Sequence, residues 1–306
     1  MEVIYLNDDV KIDTPIVSAI GFFDGLHLGH QKLLDKVCSI SQEKGYKKAI
    51  MTFNHHPLYV LGKEKEEYYL TSMEDRIALL KDDFDYLLVI DFTKEVASLS
   101  YDVFIEKYLI ALNIKHVVCG FDFRFGYMNK GDCYILKDYN PALLDVSIVD
   151  EVVYEREKVS STRIRKEIDE GNMEKVKILM GRYYTMTGKV IEGRKLGHSL
   201  GFPTANLDYK NYYLPKRGVY AVIVIYDSKK YLGMCNIGYN PTMGSLLKKS
   251  VEVNIFDFDK EIYNEEISLV FLDKTRGESQ FNSPDELKVQ LTHDKNYIKE
   301  NYKILI

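Results

Sequence analysis

Two histidines three residues apart, His27 and His30, lie where an apolar run gives way to an amphipathic one. Residues 16–20 have the pattern of a buried strand, and residues 31–40 carry apolar side chains at helical spacing. A junction from strand to helix presents unpaired backbone N–H groups and the positive end of the helix dipole, and both favour a phosphate group. Both imidazole rings can donate hydrogen bonds to phosphate oxygens. The segment therefore predicts a phosphate-binding site.

Glycines and an aspartate complete this junction. Gly25 and Gly29 let the backbone turn tightly and approach a ligand closely. We count Gly21, Asp24 and Gly29 as candidate phosphate-binding residues beside the histidines. A lone histidine near a glycine is usually structural, so the prediction depends on the whole strand–turn–helix context.

Two later segments, residues 120–126 and 160–165, could complete a site with these histidines. The first follows a predicted strand, and ligands gather at the carboxyl ends of strands in an open parallel sheet. Its aromatic side chains could wall a flat heterocycle or simply pack the loop. The second places hydroxyls and cations at a helix start, which suits another phosphate, although a capped surface helix has the same pattern. The candidates are Phe121, Asp122, Phe123 and Phe125 in the first segment and Ser161, Thr162 and Arg165 in the second.

A second glycine-rich string ends at Asn206. Its backbone amides can wrap phosphates, and Gly193, Gly197 and Pro203 are the candidate contacts. Thr204 and Asn206 offer neutral oxygens of the kind that Mg²⁺ accepts beside substrate phosphates. The alternative is an ordinary glycine-rich turn, and the string is not a Walker A loop.

Glu252 lies in a predicted strand of the second half. Strand alternation puts Val251, Val253 and Ile255 on one face and Glu252 and Asn254 on the other. By itself this pattern is typical of an exposed glutamate on a strand.

The order of predicted elements indicates two domains. Before Gly181, apolar strands alternate with helices, which is typical of a parallel sheet covered on both faces. After it, strand-like runs follow one another across short turns, which predicts an antiparallel barrel or meander. Ser283–Glu286 is a capping box that starts one terminal helix. We therefore predict an α/β domain over residues 1–181 and a β-barrel domain with a terminal helix over residues 182–306.

Two local predictions concern helices of the first domain. Thr71 to Glu74 has the pattern of a capping box, with Thr71 as the N-cap. Residues 102–112 are predicted to form one helix. Its apolar side is predicted to carry Val103, Phe104, Tyr108 and Leu112.

Composition narrows the class of protein. The 306 residues are 46% hydrophobic and carry a formal net charge of −5, which argues against a broad nucleic-acid footprint. No apolar stretch is long enough to span a bilayer, and the first residues do not form a secretory signal. The four cysteines lack CxxC spacing and predict reduced, mostly buried thiols. We expect a cytoplasmic protein with small-molecule substrates, no nucleic-acid or membrane partner, and a monomeric or weakly homo-oligomeric state.

Residues 21–30, 52–57, 120–126 and 160–165 together resemble the FMN adenylyltransferase module of bacterial bifunctional riboflavin kinase/FAD synthetases. The string 193–206 is similar to the riboflavin kinase fingerprint. The resemblance implies a Rossmann-like nucleotidyltransferase domain followed by a riboflavin kinase barrel. It implies that the barrel makes FMN from riboflavin and ATP, and that the first domain makes FAD and pyrophosphate from FMN and ATP, with Mg²⁺ or another divalent cation.

The resemblance also implies roles for individual residues. Glu252 would be the general base that accepts the proton of the riboflavin 5′-hydroxyl. Asp122 and its loop would lie beside FMN or ATP, and Arg276 and Phe281 would help to bind flavin or nucleotide. The chain departs from the family at His55, where proline is common. The ATP phosphates would be held by His27, His30, Ser161, Thr162 and Arg165.

Two alternatives remain at this point. An adenylyltransferase acting on another acceptor, such as NMN or phosphopantetheine, would also carry the two histidines, but the string 193–206 argues against it. A flavin-sensing module that has lost catalysis is the other alternative, and the presence of Glu252 and both histidines argues against that loss.

Overall fold

The computed structural model describes residues 1–7, 9–193, 200–240 and 248–305. By its contacts the chain forms two compact units, Met1–Ser160 and Ser161–Ile306. The first is an α/β unit and the second is built around a β-barrel, which confirms the predicted fold classes. Residues 161–181 count with the second unit in this division, and the domain limit at Gly181 stays a prediction.

Parallel strands form the central sheet of the first unit. They are β1 (Glu2–Leu6), β2 (Ile16–Ile20), β3 (Lys47–Phe53), β4 (Tyr86–Ile90), β5 (Ile114–Gly120) and β8 (Asp145–Val149). Their order is β1-β4-β3-β2-β5-β8. The chain winds from β2 through β3 to β4 in one direction and continues through β5 to β8 in the other. The direction changes at the carboxyl ends of β2 and β5, which is where ligands bind in open parallel sheets.

Helices and two small hairpins connect these strands. The helices are α1 (Leu28–Lys44), α2 (Pro57–Val60), α3 (Met73–Leu80), α4 (Lys94–Ala97), α5 (Tyr101–Ile105) and α6 (Cys133–Tyr139). The hairpins pair β6 (Arg124–Phe125) with β7 (Gly131–Asp132) and β9 (Val153–Tyr154) with β10 (Glu157–Lys158). Apolar side chains cover both faces of the sheet: α1 packs on one face through Val37 and Ile40, and α5 packs on the other through Phe104.

Both local helix predictions need correction. The N-cap of α3 is Ser72, whose Oγ accepts a hydrogen bond from the backbone N–H of Asp75 at 3.1 Å. The helix begins at Met73, so Thr71 lies one residue before the N-cap. Helix α5 continues as a π-helix over Glu106–Ile110. A π-helical turn shifts the helical phase, so Val103 is exposed while the predicted apolar residues after it are buried.

The second unit is a closed antiparallel barrel with helices. Its strands are β11 (Thr185–Ile191), β12 (Ala205–Asp208), β13 (Gly218–Tyr226), β14 (Lys229–Asn240), β15 (Lys248–Ile255) and β16 (Glu266–Arg276), and its helices are α7 (Ser161–Glu170), α8 (Met173–Met180) and α9 (Pro284–Tyr302). The barrel closes in the order β11-β12-β15-β14-β13-β16. The predicted capping box is confirmed, because the Ser283 Oγ accepts from the Glu286 N–H at 3.2 Å.

Two apolar layers stabilise the barrel unit. On β13, side chains such as Val222 and Val224 are fully buried. Val219 and Ile223 of the same strand pack in a cluster with Ile298 of α9. The terminal helix therefore covers part of one face of the strands. That face also carries polar side chains, as the next subsection shows.

The cysteines provide a test of this packing. Cys119, Cys133 and Cys235 are buried, and Cys38 is half-buried. Burial raises the pKa of Cys119 to about 12 and raises the pKa of the other three thiols as well. Because the thiolate is the reactive form, we expect a thiol reagent at about pH 8 to label Cys38 slowly and the other cysteines only after unfolding. Peptide mass spectrometry measures this, and labelling of Cys119 or Cys235 in the folded protein would contradict the packing.

Candidate active sites

The loop between β2 and α1 is backbone-strained and anchored by a buried carboxylate. Phe23 and Leu26 have φ values of 56° and 41°, a region that costs a non-glycine residue about 1–3 kcal/mol. Asp24 is 2% exposed, and its Oδ1 accepts hydrogen bonds from the backbone N–H groups of Leu70 at 2.8 Å and Thr71 at 3.1 Å. These bonds tie the loop to the segment before α3. Asp24 therefore anchors the loop, and its contact with phosphate stays a prediction.

Arg76 of α3 holds the same loop through its side chain. Its side chain is buried, and Nη1 donates to the Phe22 carbonyl at 2.8 Å and to the Thr52 Oγ1 at 3.3 Å. Burial lowers the pKa of Arg76, and the negative charge of Asp24 opposes this effect. The guanidinium thus connects the loop after β2, the end of β3 and the start of α3. No local pattern in the sequence distinguishes Arg76 from a charged residue on a helix surface.

His27 and His30 are held ring to ring at the start of α1. His27 is the N-cap, and its Nδ1 accepts from the His30 backbone N–H at 3.3 Å. A neutral ring that accepts at Nδ1 carries its proton on Nε2, so Nε2 is a donor. The two rings stack at 3.7 Å between centroids. A Cβ at Gly29 would lie 3.1 Å from the His27 ring, so a larger residue there would press on the ring.

Loops after β3 and β5 lie at the same edge of the sheet. The His56 ring contacts the Phe22 ring edge-on at 4.8 Å, and His55 is 3.2 Å from the Glu67 carboxylate. After β5, Asp122 forms an ion pair with Lys158 of β10. The Lys158 ammonium also lies 4.8 Å from the centre of the exposed Phe121 ring. The edge therefore combines aromatic surface with charged groups of both signs.

Several predicted residues of the first unit serve other purposes. Phe125 is buried and packs 5.4 Å from Phe104, so its predicted contact with a ligand is wrong: it belongs to the core. Phe123 stacks on Phe125 at 5.3 Å and is half-buried. The Gly21 N–H donates to the Met51 carbonyl, so it is not a donor for phosphate.

The hydroxyl and arginine candidates begin the second unit. Ser161 and Thr162 are the first residues of α7, and Arg165 lies one turn later with its guanidinium 5.7 Å from the centre of the Tyr213 ring. A helix start with hydroxyls and a cation is suited to phosphate, as predicted. Their joint action with His27 and His30 stays a prediction.

The barrel arranges a row of polar side chains across three strands. In the strand register Glu252 of β15 lies opposite Asn206 of β12 on one side and Asn236 of β14 on the other. Directly paired residues have Cβ atoms about 4.5–5.5 Å apart. The row therefore places a carboxylate between two amides, on the face opposite to the buried Val253. Strand alternation predicted this face correctly.

Two asparagine side chains make close contacts beside Thr204 and along β12. The Asn254 amide Nδ2 donates to the Pro203 carbonyl at 2.6 Å, just before Thr204. Gly193 lies so close to the Asn206 amide that a Cβ would come within 1.8 Å of its Nδ2. A larger residue at this position would therefore displace the Asn206 amide. Gly197, another candidate, lies outside the described residues.

Two cavities of the described barrel unit share Thr204 as a wall. One has a volume of about 760 Å³ and is lined by Glu252, Arg276 and Phe281, together with apolar side chains from α9. The other has about 460 Å³ and is lined by Pro203 and by aromatic residues after β15. The larger cavity contains Glu252 and Asn254 of β15, and the smaller one contains Val253 and Ile255 from the other face of the same strand. The structure thus brings Glu252, Thr204, Arg276 and Phe281 together as predicted neighbours.

Comparisons with known proteins agree on both halves of the chain. A family model described as FAD synthetase matches residues 9–163, and one described as riboflavin kinase matches residues 180–302. The bifunctional riboflavin kinase/FMN adenylyltransferase of Listeria monocytogenes is 40% identical over 302 residues, which is 96% of each chain. The Bacillus subtilis protein of the same name is 40% identical over 284 residues, covering 91% of this chain and 90% of its own.

A solved structure matches nearly the whole chain. It is described as a macrolide-efflux protein from Streptococcus pneumoniae, and it has a TM-score of 0.89 and 34% identity, covering 98% of this chain and 99% of that chain. Among the helices that the structure describes here, none has the length and apolar character needed to cross a membrane.

Replacing Arg76 tests the anchored loop. Arg76→Met leaves the buried Asp24 carboxylate without its opposing charge, and breaking a buried pair usually costs about 3–5 kcal/mol of folding free energy. We expect a loss of this size in urea unfolding, with faster hydrogen exchange in peptides of the first unit. Lys47→Met is the matched control, because it removes a cation from an exposed pair with Asp85. Equal unfolding midpoints for the two variants would contradict the role of Arg76.

Proposed function

The chain belongs to the family of bifunctional riboflavin kinase/FMN adenylyltransferases, and we propose that its two sites act in sequence on one flavin. The barrel phosphorylates riboflavin with ATP to give FMN. The first domain then adenylylates FMN with a second ATP to give FAD and pyrophosphate. The observation that carries the kinase assignment is Glu252, which lies in the row of amides and lines the larger cavity together with Thr204, Arg276 and Phe281.

The larger cavity suits the flavin. Leu287 and Leu291 of α9 and the Phe281 ring supply apolar walls for a flat ring system, and Arg276 supplies hydrogen-bond donors. The smaller cavity, walled by Phe258 and Tyr263, suits the adenosine part of ATP. ATP phosphates would then pass Thr204 toward Glu252. The Glu252 carboxylate would accept the proton of the riboflavin 5′-hydroxyl as its oxygen attacks the γ-phosphorus, and ADP leaves.

A divalent cation, which we take to be Mg²⁺, fits the oxygen donors beside this row. The Thr204 hydroxyl and the Asn206 amide oxygen are neutral ligands, and the Glu252 carboxylate is directly opposite Asn206 in the register. Magnesium is usually bound by few protein oxygens together with substrate phosphates. When bound, such an ion neutralises charge on the transferring phosphoryl group.

Adenylyl transfer in the first domain needs positioning more than acid–base chemistry. The FMN phosphate is already ionised near neutral pH, so its oxygen can attack the α-phosphorus directly while pyrophosphate leaves. His27 and His30 would hold the triphosphate at the start of α1, with Ser161, Thr162 and Arg165 as further donors. The Phe121 ring and Asp122 would lie beside the flavin or adenine at the carboxyl ends of β2 and β5.

The remaining proposals concern the domain limits, the cellular location and the partners of the enzyme. We propose residues 1–181 and 182–306 as the catalytic domains, which is compatible with the family matches at residues 9–163 and 180–302. We propose a cytoplasmic enzyme because its four thiols are free and mostly buried. Its substrates are small molecules, with no nucleic-acid or membrane partner, and it acts as a monomer or weak homo-oligomer.

Product analysis tests the proposed pair of reactions. Purified protein with riboflavin, ATP and Mg²⁺ should accumulate FMN first and FAD with pyrophosphate afterwards, as separated by chromatography. Parallel assays offer NMN and phosphopantetheine as acceptors and should give no adenylylated product. Absence of both flavin products, or tight flavin binding without turnover, would overturn the proposal.

Two substitutions should separate the sites. Glu252→Gln removes the proposed base and should lower FMN formation about 10²–10⁴-fold, with FMN-to-FAD conversion retained when FMN is supplied. His30→Ala removes a phosphate donor and should lower FAD formation about 10²–10³-fold, with FMN formation retained.

The controls for this pair carry the same changes at exposed positions. Glu266→Gln lies on β16 and His293→Ala on α9, and both should keep the two activities. Loss of both activities in a folded Glu252→Gln or His30→Ala variant would contradict two independent sites.

A further inference from the structure

A buried carboxylate on the terminal helix contacts Arg276, which lines the larger cavity. Asp294 of α9 is 4% exposed, although its neighbours Thr292 and His293 are exposed. Both oxygens have partners: Oδ2 accepts from the Arg276 Nε at 2.9 Å, and Oδ1 accepts from the Gln290 Nε2 at 2.8 Å. Asp294 is therefore held in one orientation and holds Arg276 in turn.

Arg276 is the residue through which Asp294 reaches the cavity. It ends β16 and lines the cavity together with Glu252. Its Nη1 donates to the Gly277 carbonyl at 3.1 Å, and its guanidinium lies 5.8 Å from the centre of the Phe281 ring. Bonds at Nε and Nη1 together fix the plane of the guanidinium. A planar donor group in a fixed orientation is suited to carbonyl oxygens of a flat ligand.

Stability alone is a weak reason for this pair. A buried ion pair pays a desolvation cost that often cancels its Coulombic gain, and an apolar pair of the same volume is often as stable. The helix already has an apolar anchor, since Ile298 is fully buried in the cluster beneath it. An apolar side chain in place of Asp294 could not orient Arg276 toward the cavity.

We propose that Asp294 is a positioning residue for the flavin acceptor. It holds the Arg276 guanidinium so that Arg276 donates to carbonyl oxygens of the flavin ring, and it makes α9 part of the acceptor site. This inference rests on the proposed kinase function of the barrel. Asp294 would thus act in acceptor binding, although it touches neither the phosphoryl group nor the proposed base.

Asp294→Asn in the full chain tests the inference. The change keeps the shape and removes the charge that orients Arg276. We expect the KM for riboflavin to rise about tenfold, the size of one lost charge-assisted contact, with kcat changed less than about threefold. The dissociation constant of riboflavin, measured by fluorescence quenching, should rise in parallel. FMN-to-FAD conversion should be unchanged.

The matched control removes a different carboxylate that also joins the barrel to α9. Asp257 accepts from the Lys299 ammonium at 2.7 Å, in an exposed pair. Asp257→Asn should leave the riboflavin KM unchanged. If it raised that KM as much as Asp294→Asn does, a general loosening of α9 would explain both, and the positioning role would be rejected.

A double-mutant cycle separates positioning through Arg276 from any other effect. Arg276→Gln should raise the riboflavin KM about as much as Asp294→Asn, and the double variant should add little, because both remove one interaction. Additive effects would overturn the inference. If Asp294→Asn does not fold, Gln290→Ala replaces it: this variant keeps the charge, loosens one oxygen of Asp294, and should raise the KM by about two- to threefold.

The outcomes distinguish this inference from the function on which it rests. A wild-type protein that makes no FMN refutes the proposed kinase and the inference together. A wild-type protein that makes FMN, with an unchanged riboflavin KM in Asp294→Asn, refutes the inference alone.

Discussion

A buried guanidinium holds the first site together. Arg76 donates to the carbonyl of Phe22 and to the hydroxyl of Thr52, and its charge is opposed by Asp24, whose carboxylate ties the same loop to the start of α3. These contacts compensate the backbone strain at Phe23 and Leu26. The strained loop leads directly into the N-cap of α1, so the orientation of His27 depends on them. The sheet order then determines where the histidines lie, at the carboxyl ends of β2 and β5.

The second proposed site is built on the strands of the barrel and not on a loop. The inner layer of the barrel is filled with apolar side chains, and the proposed reacting groups lie on the opposite face of the strands. The strand register determines the neighbours of Glu252, because Asn206 and Asn236 lie opposite it on adjacent strands. Helix α9 then supplies the wall of the larger cavity and, through Asp294, a partner for Arg276. Each unit therefore has buried opposite charges beside its proposed site, Arg76 with Asp24 in the first and Arg276 with Asp294 in the second.

Much of this arrangement could be predicted from the sequence because its signals are local. The histidine pair, the glycine spacing and the face of Glu252 follow from strand and helix periodicity. Strands β1 and β12 have no clear pattern in the sequence, because β1 is a partly exposed edge strand and β12 has only four residues. Arg76 and Asp294 have the pattern of charged helix surface, and only packing shows that they are buried. Phe125 was assigned to a ligand because periodicity does not distinguish a cavity wall from the core.

The central claim is that one flavin passes through two chemically different transfers from ATP, and phosphorus labelling tests it most directly. The protein is incubated with riboflavin and ATP carrying ³²P at either the γ or the α position. The account predicts that FMN and FAD both carry the γ label, since the barrel transfers the terminal phosphoryl group, and that the α label appears in FAD alone. An α label in FMN, or FAD without the γ label, would contradict it.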